Sequence, residues 1–305
     1  MAVATVPVHV DSPADQVRPV PAPLPASPPA FPGLLRGRLP AFSRTFVLIV
    51  ACELWSEVAR VEGMWPGARL AVAVLFTACA AAIWTRWKPR AAAGMAAALL
   101  AIRLACFFPL SANHYYLEVL HAFFLTLPGE DAREEDLLLR AVRMTVVVGL
   151  IASGVQKVLH GYYFGGEFLC FMLAHDPRFE VLKHLVPASE HLRLQAIETA
   201  VGAGPYRVDS WPLLAASNLT YILEIVLPIG LLLQRTRAAA LCASIAFIFA
   251  IEVAARELFF GALMISSLLL FARSDLHRRL MPFFAALCLY LLATSLGLLP
   301  AWRFT

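Results

Sequence analysis

Long apolar runs recur along almost the whole chain, separated by short polar stretches. The mean hydropathy is +0.72 and only 15% of the residues are charged, which sets the chain apart from ordinary soluble domains. Because backbone amides inside a bilayer must be bonded within the protein, such runs fold as helices. The pattern predicts an all-α polytopic membrane helix bundle of about nine transmembrane helices. The predicted apolar segments are 43–59, 69–84, 93–110, 114–128, 143–160, 212–233, 237–255, 257–272 and 281–299.

Clusters of arginine and lysine between these segments predict the orientation of the bundle. Short loops rich in these residues stay on the cytoplasmic side of a membrane. The basic clusters at 36–44, 86–90 and 133–143 alternate with loops near 61–68 and 110–113 that are almost free of basic residues. The alternation predicts a cytoplasmic N-terminus and puts the end of the fifth segment on the outer face. The bias toward Ala, Leu and Arg is typical of a GC-rich bacterium, so we expect the chain in a bacterial inner membrane.

Two stretches differ in composition from the apolar segments. Residues 1–41 are rich in proline and lack apolar periodicity, which predicts a disordered cytoplasmic tail. Residues 42–300 form the predicted transmembrane domain. Within it, residues 161–211 mix aromatic and charged side chains in a helical rhythm, which predicts amphipathic helices on the outer face. This segment is either a simple lid over the bundle or a cap over a substrate pocket.

Ionisable residues inside the apolar segments are the candidates for function. Burying each one in a membrane costs on the order of a few kcal/mol, and such residues usually face the interior of the bundle. Four sets occur at spacings that give the members of each set one shared helical face. The sets are Ser153, Gln156, Lys157 and His160; His114, Glu118 and His121; Asn218, Tyr221 and Glu224; and Glu252 with Arg256.

Lys157 has two interpretations. It lies about one turn from the predicted outer end of its segment, so it could extend to the lipid head groups. Alternatively, a desolvated lysine can act as a neutral amine base. A metal site on the second set is disfavoured, because His114 and His121 would lie about 10 Å apart along a straight helix. We therefore expect hydrogen-bonding or proton-handling roles for those two residues, and no metal.

Three charged residues inside the apolar segments need partners. Glu252 and Arg256 are four residues apart, which predicts an ion pair between them. Arg103 is a lone cation in the middle of its segment, and Glu118 and Glu224 are the candidate partners. Unpaired charges at this depth would be costly, so both pairings are expected to shape the bundle.

Several classes of chemistry have no basis in the sequence. There is no P-loop, no GxGxxG after a strand and no GxSxG elbow. The six cysteines are scattered without a CxxC spacing, which disfavours disulfides and a cysteine metal site. The basic residues lie in small clusters between apolar segments, so they indicate topology and no nucleic-acid partner.

Two blocks of the sequence resemble a known family. They are ANHYYLEVLHAFFLTL at 112–127 and IASGVQKVLHGYYFGGEFL at 151–169. They are similar to the membrane domain of vitamin K-dependent gamma-carboxylase and to its bacterial relatives, the horizontally transferred transmembrane (HTTM) domain proteins. The resemblance covers residues 45–275 and is specific only in the two quoted blocks.

The resemblance implies an enzyme site. Lys157 matches the family's catalytic lysine, which is taken to deprotonate vitamin K hydroquinone, and His114 belongs to an Asn-His pair that lines the same pocket. In the implied reaction, oxygen adds to the deprotonated quinol, and the strong base that results removes a glutamate γ-proton before carbon dioxide adds. Reduced menaquinone or vitamin K, oxygen and carbon dioxide are the implied cofactors. The residues assigned to binding of the quinol or another substrate are Asn113, Gln156, His160, Tyr162 and Glu118.

The chain also departs from the family. Gln156 stands where the carboxylase has a second lysine, and Tyr162 stands where it has tryptophan. We expect no counterpart, after the ninth segment, of the large lumenal region that docks the carboxylase's protein substrate, and therefore no substrate capture of that kind. One hypothesis is therefore a carboxylase-like or epoxidase-like enzyme in which Lys157 is the catalytic base and His114 orients it, acting on a quinol or on a peptide or lipid substrate. The other is a non-catalytic bundle serving as a carrier, an immunity or export factor, or a partner-binding module, with Lys157 structural.

Overall fold

The computed structural model describes residues 38–59, 66–107, 114–127, 129, 131–202, 204–272 and 276–299, and no strand occurs among them. Eleven α-helices follow one another along these ranges, with short 3₁₀ helices at Pro177–Leu185, Gly204–Tyr206 and Leu269–Phe271. The predicted all-α polytopic bundle is confirmed. The α-helices are α1 Arg38–Ala59, α2 Pro66–Thr85, α3 Pro89–Phe107, α4 His114–Phe124, α5 Ala132–His160, α6 Glu167–His175, α7 Ala188–Gln195, α8 Trp211–Leu232, α9 Arg237–Ala255, α10 Leu258–Leu268 and α11 Leu276–Ser295.

Seven of the described helices are long and apolar enough to cross a membrane. They are α1, α2, α3, α5, α8, α9 and α11. The two other predicted spans coincide with α4 and α10, each of 11 residues. A helix of that length rises about 16 Å, roughly half of the hydrocarbon core. The count of nine spans and the cytoplasmic N-terminus stay predictions.

Two predicted boundaries change. The first helix begins at Arg38, so residues 38–41 of the predicted tail are helical, and the rest of that tail lies outside the described residues. The fifth helix begins at Ala132 and not near 143, because Asp131 caps its first turn by accepting hydrogen bonds from the amides of Arg133 and Glu134. This capped first section is polar, which is why apolar content alone does not reveal it.

Helix α1 is the centre of the bundle and the most buried of the long helices. Phe42, Phe46 and Ile49 have no exposed surface and pack among residues of α2, α3, α10 and α11. At the start of α1, Arg38 Nη2 donates hydrogen bonds to the carbonyls of Leu270 and Ala272, at 3.1 and 3.0 Å. These bonds satisfy carbonyls at a helix end and hold α1 against the 3₁₀ turn that follows α10.

Helices α5 and α8 approach each other closely at Gly154. A Cβ added there would lie 2.7 Å from Ile225 Cγ1 and 3.0 Å from the Tyr221 carbonyl oxygen. Small residues allow such close backbone contact between membrane helices. The contact brings α8, and with it Glu224, against the face of α5 that carries Lys157.

We expect Gly154→Ala to lower the stability of the bundle. Overpacking costs about 1–3 kcal/mol, which exceeds the gain of about 1 kcal/mol that alanine brings to a helix. Thermal unfolding of the purified protein measures the loss. Gly149→Ala is the matched control, because its Cβ would make an ordinary 3.4 Å contact with Leu117, and it should leave stability unchanged or raised. Equal stability of the two variants would contradict the close packing.

The 161–211 segment folds as short helices, as predicted. Its apolar side chains form a small core of its own with the start of α8 and the end of α9. Polar bonds reinforce this core: His175 Nε2 lies 2.6 Å from the Tyr206 hydroxyl, and Arg207 donates to Glu167 at 2.8 Å. The buried members of this core are Cys170, Leu173, Phe179, Leu182, Leu194, Tyr206, Val208, Leu213 and Ala255. We call residues 161–211 the cap; its position on the outer face stays a prediction.

One helix ends and the next begins between α9 and α10, where the sequence predicted two helices to meet. The predicted ion pair between Glu252 and Arg256 is wrong. Helix α9 ends at Ala255, and Arg256 adopts a left-handed conformation with φ 53°. Arg256 therefore does not lie on the helical face that carries Glu252. Neither carboxylate oxygen of Glu252 has a hydrogen-bond partner among the described residues, although the side chain is buried.

Candidate functional site

A cavity of about 1130 Å³ lies between α4, α5, α8, α9 and α10. The cap closes one end of it with Tyr163, Phe168 and Phe179. Ala141 and Lys157 both line the cavity, and sixteen residues of α5 separate them, or about 24 Å of helix. The cavity is therefore long, running from the cap toward the other end of the bundle.

Polar groups line the cavity unevenly. Among the described residues that line it, four besides tyrosines are charged or titratable, namely His114, Lys157, Glu224 and Glu257, and all lie in the half nearer the cap. Most of the other lining side chains are apolar, from helices α5, α8, α9 and α10. The arrangement combines a polar head region with an apolar channel, which is the shape of a site for an elongated amphiphile.

Lys157 is held by three oxygens. Its Nζ donates to both carboxylate oxygens of Glu224 at 2.7 Å and to Ser153 Oγ at 2.7 Å. The exposed fractions of the two charged side chains are 18% for Lys157 and 7% for Glu224. A lysine extended to lipid head groups would not make these contacts, so the ammonium belongs to the cavity wall.

The turn after α5 covers this ion pair. Gly161 ends the helix in a left-handed conformation, φ 75°, with its amide bonded to the Lys157 carbonyl. Ser217 Oγ donates to the Tyr163 carbonyl at 2.6 Å, which fastens the turn to α8. The Tyr163 ring then lies 5.3 Å from Lys157 Nζ, a favourable position for a cation. Burial, with the nearby Glu224 carboxylate, raises the pKa of the Tyr163 phenol, so it stays a neutral hydroxyl.

His114 belongs to a different set of contacts. Its Nε2 lies 3.1 Å from Glu53 Oε1 on α1, and its ring packs against Phe260 of α10. It lines the same cavity as Lys157. The two residues thus face one space, but each is bonded to a different carboxylate: Glu53 for His114, and Glu224 for Lys157.

Arg103 bonds to Glu118, one of its two predicted partners. It also bonds to Glu53 and Glu57, which the sequence did not lead us to expect. Its Nη1 donates to Glu118 Oε2 at 2.6 Å, and its Nη2 donates to Glu53 Oε1 at 3.0 Å and to Glu57 Oε1. The sequence signal was available, because Glu53 and Glu57 are four residues apart inside an apolar segment. The other candidate partner, Glu224, binds Lys157 instead. We call Glu53, Glu57, Arg103, His114, Tyr115 and Glu118 the charge cluster.

The other residues assigned to substrate binding have few contacts with the cavity where the structure describes them. Gln156 lines it but is exposed, and His160, the last residue of α5, is exposed and does not line it. Tyr162 is 55% exposed and is not one of the residues that line the cavity. Asn113 lies outside the described residues. Their assignment to substrate binding stays a prediction.

The three residues first considered for a metal do not come together. His121 is fully buried between the rings of Phe42 and Phe46, and neither of its nitrogens has a partner within the described ranges. A different set, Glu53, His114 and Glu118, places one ligand atom from each within 4.8 Å of the others. Arg103 already binds both of these carboxylates, so its positive guanidinium would repel a metal ion at this position.

Comparison with known proteins adds no relative. The chain matches no protein-family model, no curated protein and no solved structure.

Proposed function

We propose that this protein binds a long-chain amphiphile in the cavity, with its head group at Lys157 and Glu224, and that Lys157 acts as the base on that head group. The observation that carries the proposal is the position of a buried lysine–glutamate pair at the capped end of a long apolar channel. Intramembrane ionisable residues that line a cavity are functional candidates by default. A reduced quinone with a prenyl tail, or a lipid of similar length, has the matching chemistry.

The route of entry fits a ligand dissolved in the bilayer. Several apolar side chains line the cavity and are also open to the surroundings, among them Val148, whose exposed fraction is 59%. Met144 on α5, Leu120 on α4 and Leu219 on α8 share this property. The cavity therefore opens sideways between these helices, where a bilayer presents its acyl chains.

The pair can supply an uncharged base without changing the charge of the site. Moving one proton from Lys157 Nζ to Glu224 converts an ammonium and a carboxylate into an amine and a carboxylic acid. Both states are neutral overall, so the low dielectric of the channel imposes no net-charge penalty on the exchange. The amine can then accept the proton of a substrate hydroxyl, while Ser153 and Glu224 orient it.

The finer assignment follows from the two sequence blocks at 112–127 and 151–169. We place the protein with the HTTM-domain proteins and assign it a carboxylase-like or epoxidase-like reaction on reduced menaquinone or vitamin K, with oxygen and carbon dioxide. In this scheme His114 lies beside the head group, and the cap faces the outside of a bacterial inner membrane. A peptide or a lipid is the second substrate.

Binding of reduced menaquinone tests the cavity. Native mass spectrometry of the detergent-purified protein should show a one-to-one complex. Thr145→Trp puts an indole into the channel and should weaken binding about tenfold or more. Leu137→Trp is the matched control, because Leu137 is exposed on the same helix and does not line the cavity. Absence of binding by the unaltered protein, or equal binding by both variants, would overturn the proposal.

A non-catalytic carrier is the second candidate, and one observation favours it. Both oxygens of Glu224 are bonded to Lys157, the arrangement also expected of a lysine whose task is to neutralise a buried carboxylate. A carrier would bind the amphiphile and release it unchanged. Turnover of reduced menaquinone in the presence of oxygen, followed by mass spectrometry of the quinone, separates the two candidates.

A further inference from the structure

The charge cluster contains more acidic side chains than basic ones. Glu53, Glu57 and Glu118 all bond to the one guanidinium of Arg103. If every group were ionised and His114 neutral, three carboxylates would face one cation. The exposed side-chain fractions of Arg103, Glu53 and Glu118 are 3%, 8% and 0%, and that of Glu57 is 21%, so water reaches Glu57 but scarcely compensates the other two carboxylates. Burying uncompensated charge costs several kcal/mol per ion.

Two oxygens in the cluster also lack a partner. Glu118 Oε1 and Glu53 Oε2 are buried, and neither makes a hydrogen bond within the part of the chain that the structure describes. Buried polar atoms are normally bonded, and each exception calls for a bound proton, water or ion. A carboxyl group that carries a proton answers both observations, since it removes one negative charge and turns an orphaned oxygen into a donor.

We propose that the charge cluster holds an exchangeable proton on Glu118 or Glu53 and exchanges it with the cavity through His114. One oxygen or nitrogen from each of these three residues lies within 4.8 Å of the others. Of the three, His114 is the one that also lines the cavity. Arg103 from α3 bonds to both carboxylates, and Tyr115 from α4 and Phe260 from α10 pack against the His114 ring. Glu57 from α1 bonds in turn to Arg103 and Tyr115.

The proton reaches His114 from Glu53, whose Oε1 lies 3.1 Å from Nε2, either directly or after Glu118 has passed its proton to Glu53. The Glu53 O–H bond breaks, an N–H bond forms at His114 Nε2, and the carboxylate left behind stays bonded to Arg103. The imidazolium then releases the proton on its other nitrogen to a base in the cavity, and returns to the neutral ring. An imidazole suits this task because its two nitrogens accept and donate in turn.

A proton fits the cluster better than a metal ion does. A metal bound by Glu53, His114 and Glu118 would lie against the Arg103 guanidinium, which already bonds to both carboxylates. It would also compete for Glu53 Oε1, which contacts both Arg103 and His114. A proton needs no new ligand positions, so it leaves every one of these contacts in place.

Infrared spectroscopy of the purified, ligand-free protein tests the proposal. In an ester-free detergent at neutral pH, we expect a carbonyl band from protonated carboxyl groups that shifts in deuterated water. Glu118→Gln should remove one carboxyl's share of that band, and Glu53→Gln serves if the first variant does not fold. Glu252→Gln measures how much of the band intensity one buried carboxyl group contributes. Glu180→Gln changes an exposed carboxyl and should leave the band unchanged.

The role of His114 has its own readout. His114→Phe should slow deuterium exchange of the cluster's carboxyl about 100-fold, the low end of the effect of a positioned proton-transfer group. An unchanged band in both Glu118→Gln and Glu53→Gln would overturn the proposal, as would one equivalent of bound metal lost in those variants. The measurement uses no substrate. It can therefore fail while the cavity still binds reduced menaquinone, or succeed while binding fails.

Discussion

Replacing Arg103 by methionine is expected to lower the free energy of unfolding by about 3–5 kcal/mol, the usual cost of removing one partner from a buried ion pair. Methionine retains much of the volume of the side chain but supplies no positive charge. Glu53, Glu57 and Glu118 would then face one another with no cation to separate them. Arg103 also lies 3.8 Å from the Tyr115 ring, so packing between α3 and α4 is lost as well. Thermal unfolding in detergent measures the effect.

The matched control is Arg140→Met. Arg140 pairs with Asp136 on α5, but its side chain is 64% exposed, so the change should be under about 1 kcal/mol. Adding Glu118→Gln to Arg103→Met should recover part of the lost stability, because glutamine removes one of the three groups that can ionise beside one another. Similar losses in the Arg103 and Arg140 variants would show that the charge cluster does not contribute to folding.

Replacing Lys157 is expected to have the largest effect on activity. If Lys157 is the base, Lys157→Met should lower the turnover of reduced menaquinone by about 10²–10⁴-fold, the usual contribution of a positioned acid or base. Binding should change far less, since most of the cavity surface is apolar. Lys183→Met is the control, because that lysine lies in the cap and pairs with Glu180 at its surface.

Lys157→Arg separates the catalytic role from the structural one. Arginine keeps its positive charge under all ordinary conditions, so it can neutralise Glu224 but cannot act as a base. A catalytic lysine predicts that the arginine variant is as stable as the unaltered protein and as inactive as Lys157→Met. Retained turnover in Lys157→Arg would reject the base assignment and leave Lys157 as the counter-ion of Glu224.

The helices could be predicted because a membrane leaves the backbone few alternatives. Each of the nine apolar segments coincides with one described helix, including the short α4 and α10. The break near Arg256 was also predicted, because charged residues interrupt the apolar run there. The early start of α5 was not, since its first turns are amphipathic and are stabilised by the Asp131 cap.

The pairings within the site were harder to predict, for two physical reasons. Contacts between helices depend on how each helix is rotated about its axis, which a single sequence does not specify. Thus Arg103 pairs with Glu118, as expected. The second candidate, Glu224, pairs instead with Lys157, which lies 67 positions away in the chain. The rule for residues four apart holds only while the helix continues, which is why Glu252 and Arg256 do not pair.

The sideways opening of the cavity has a consequence for any measurement of affinity. A ligand that enters past Val148 and Leu219 comes from the membrane, so its effective concentration is its mole fraction among the lipids. Adding lipid or detergent at constant total ligand dilutes it and lowers occupancy, although no contact in the protein has changed. Binding curves for this protein should therefore collapse onto one line when plotted against ligand per lipid, and separate when plotted against ligand per volume.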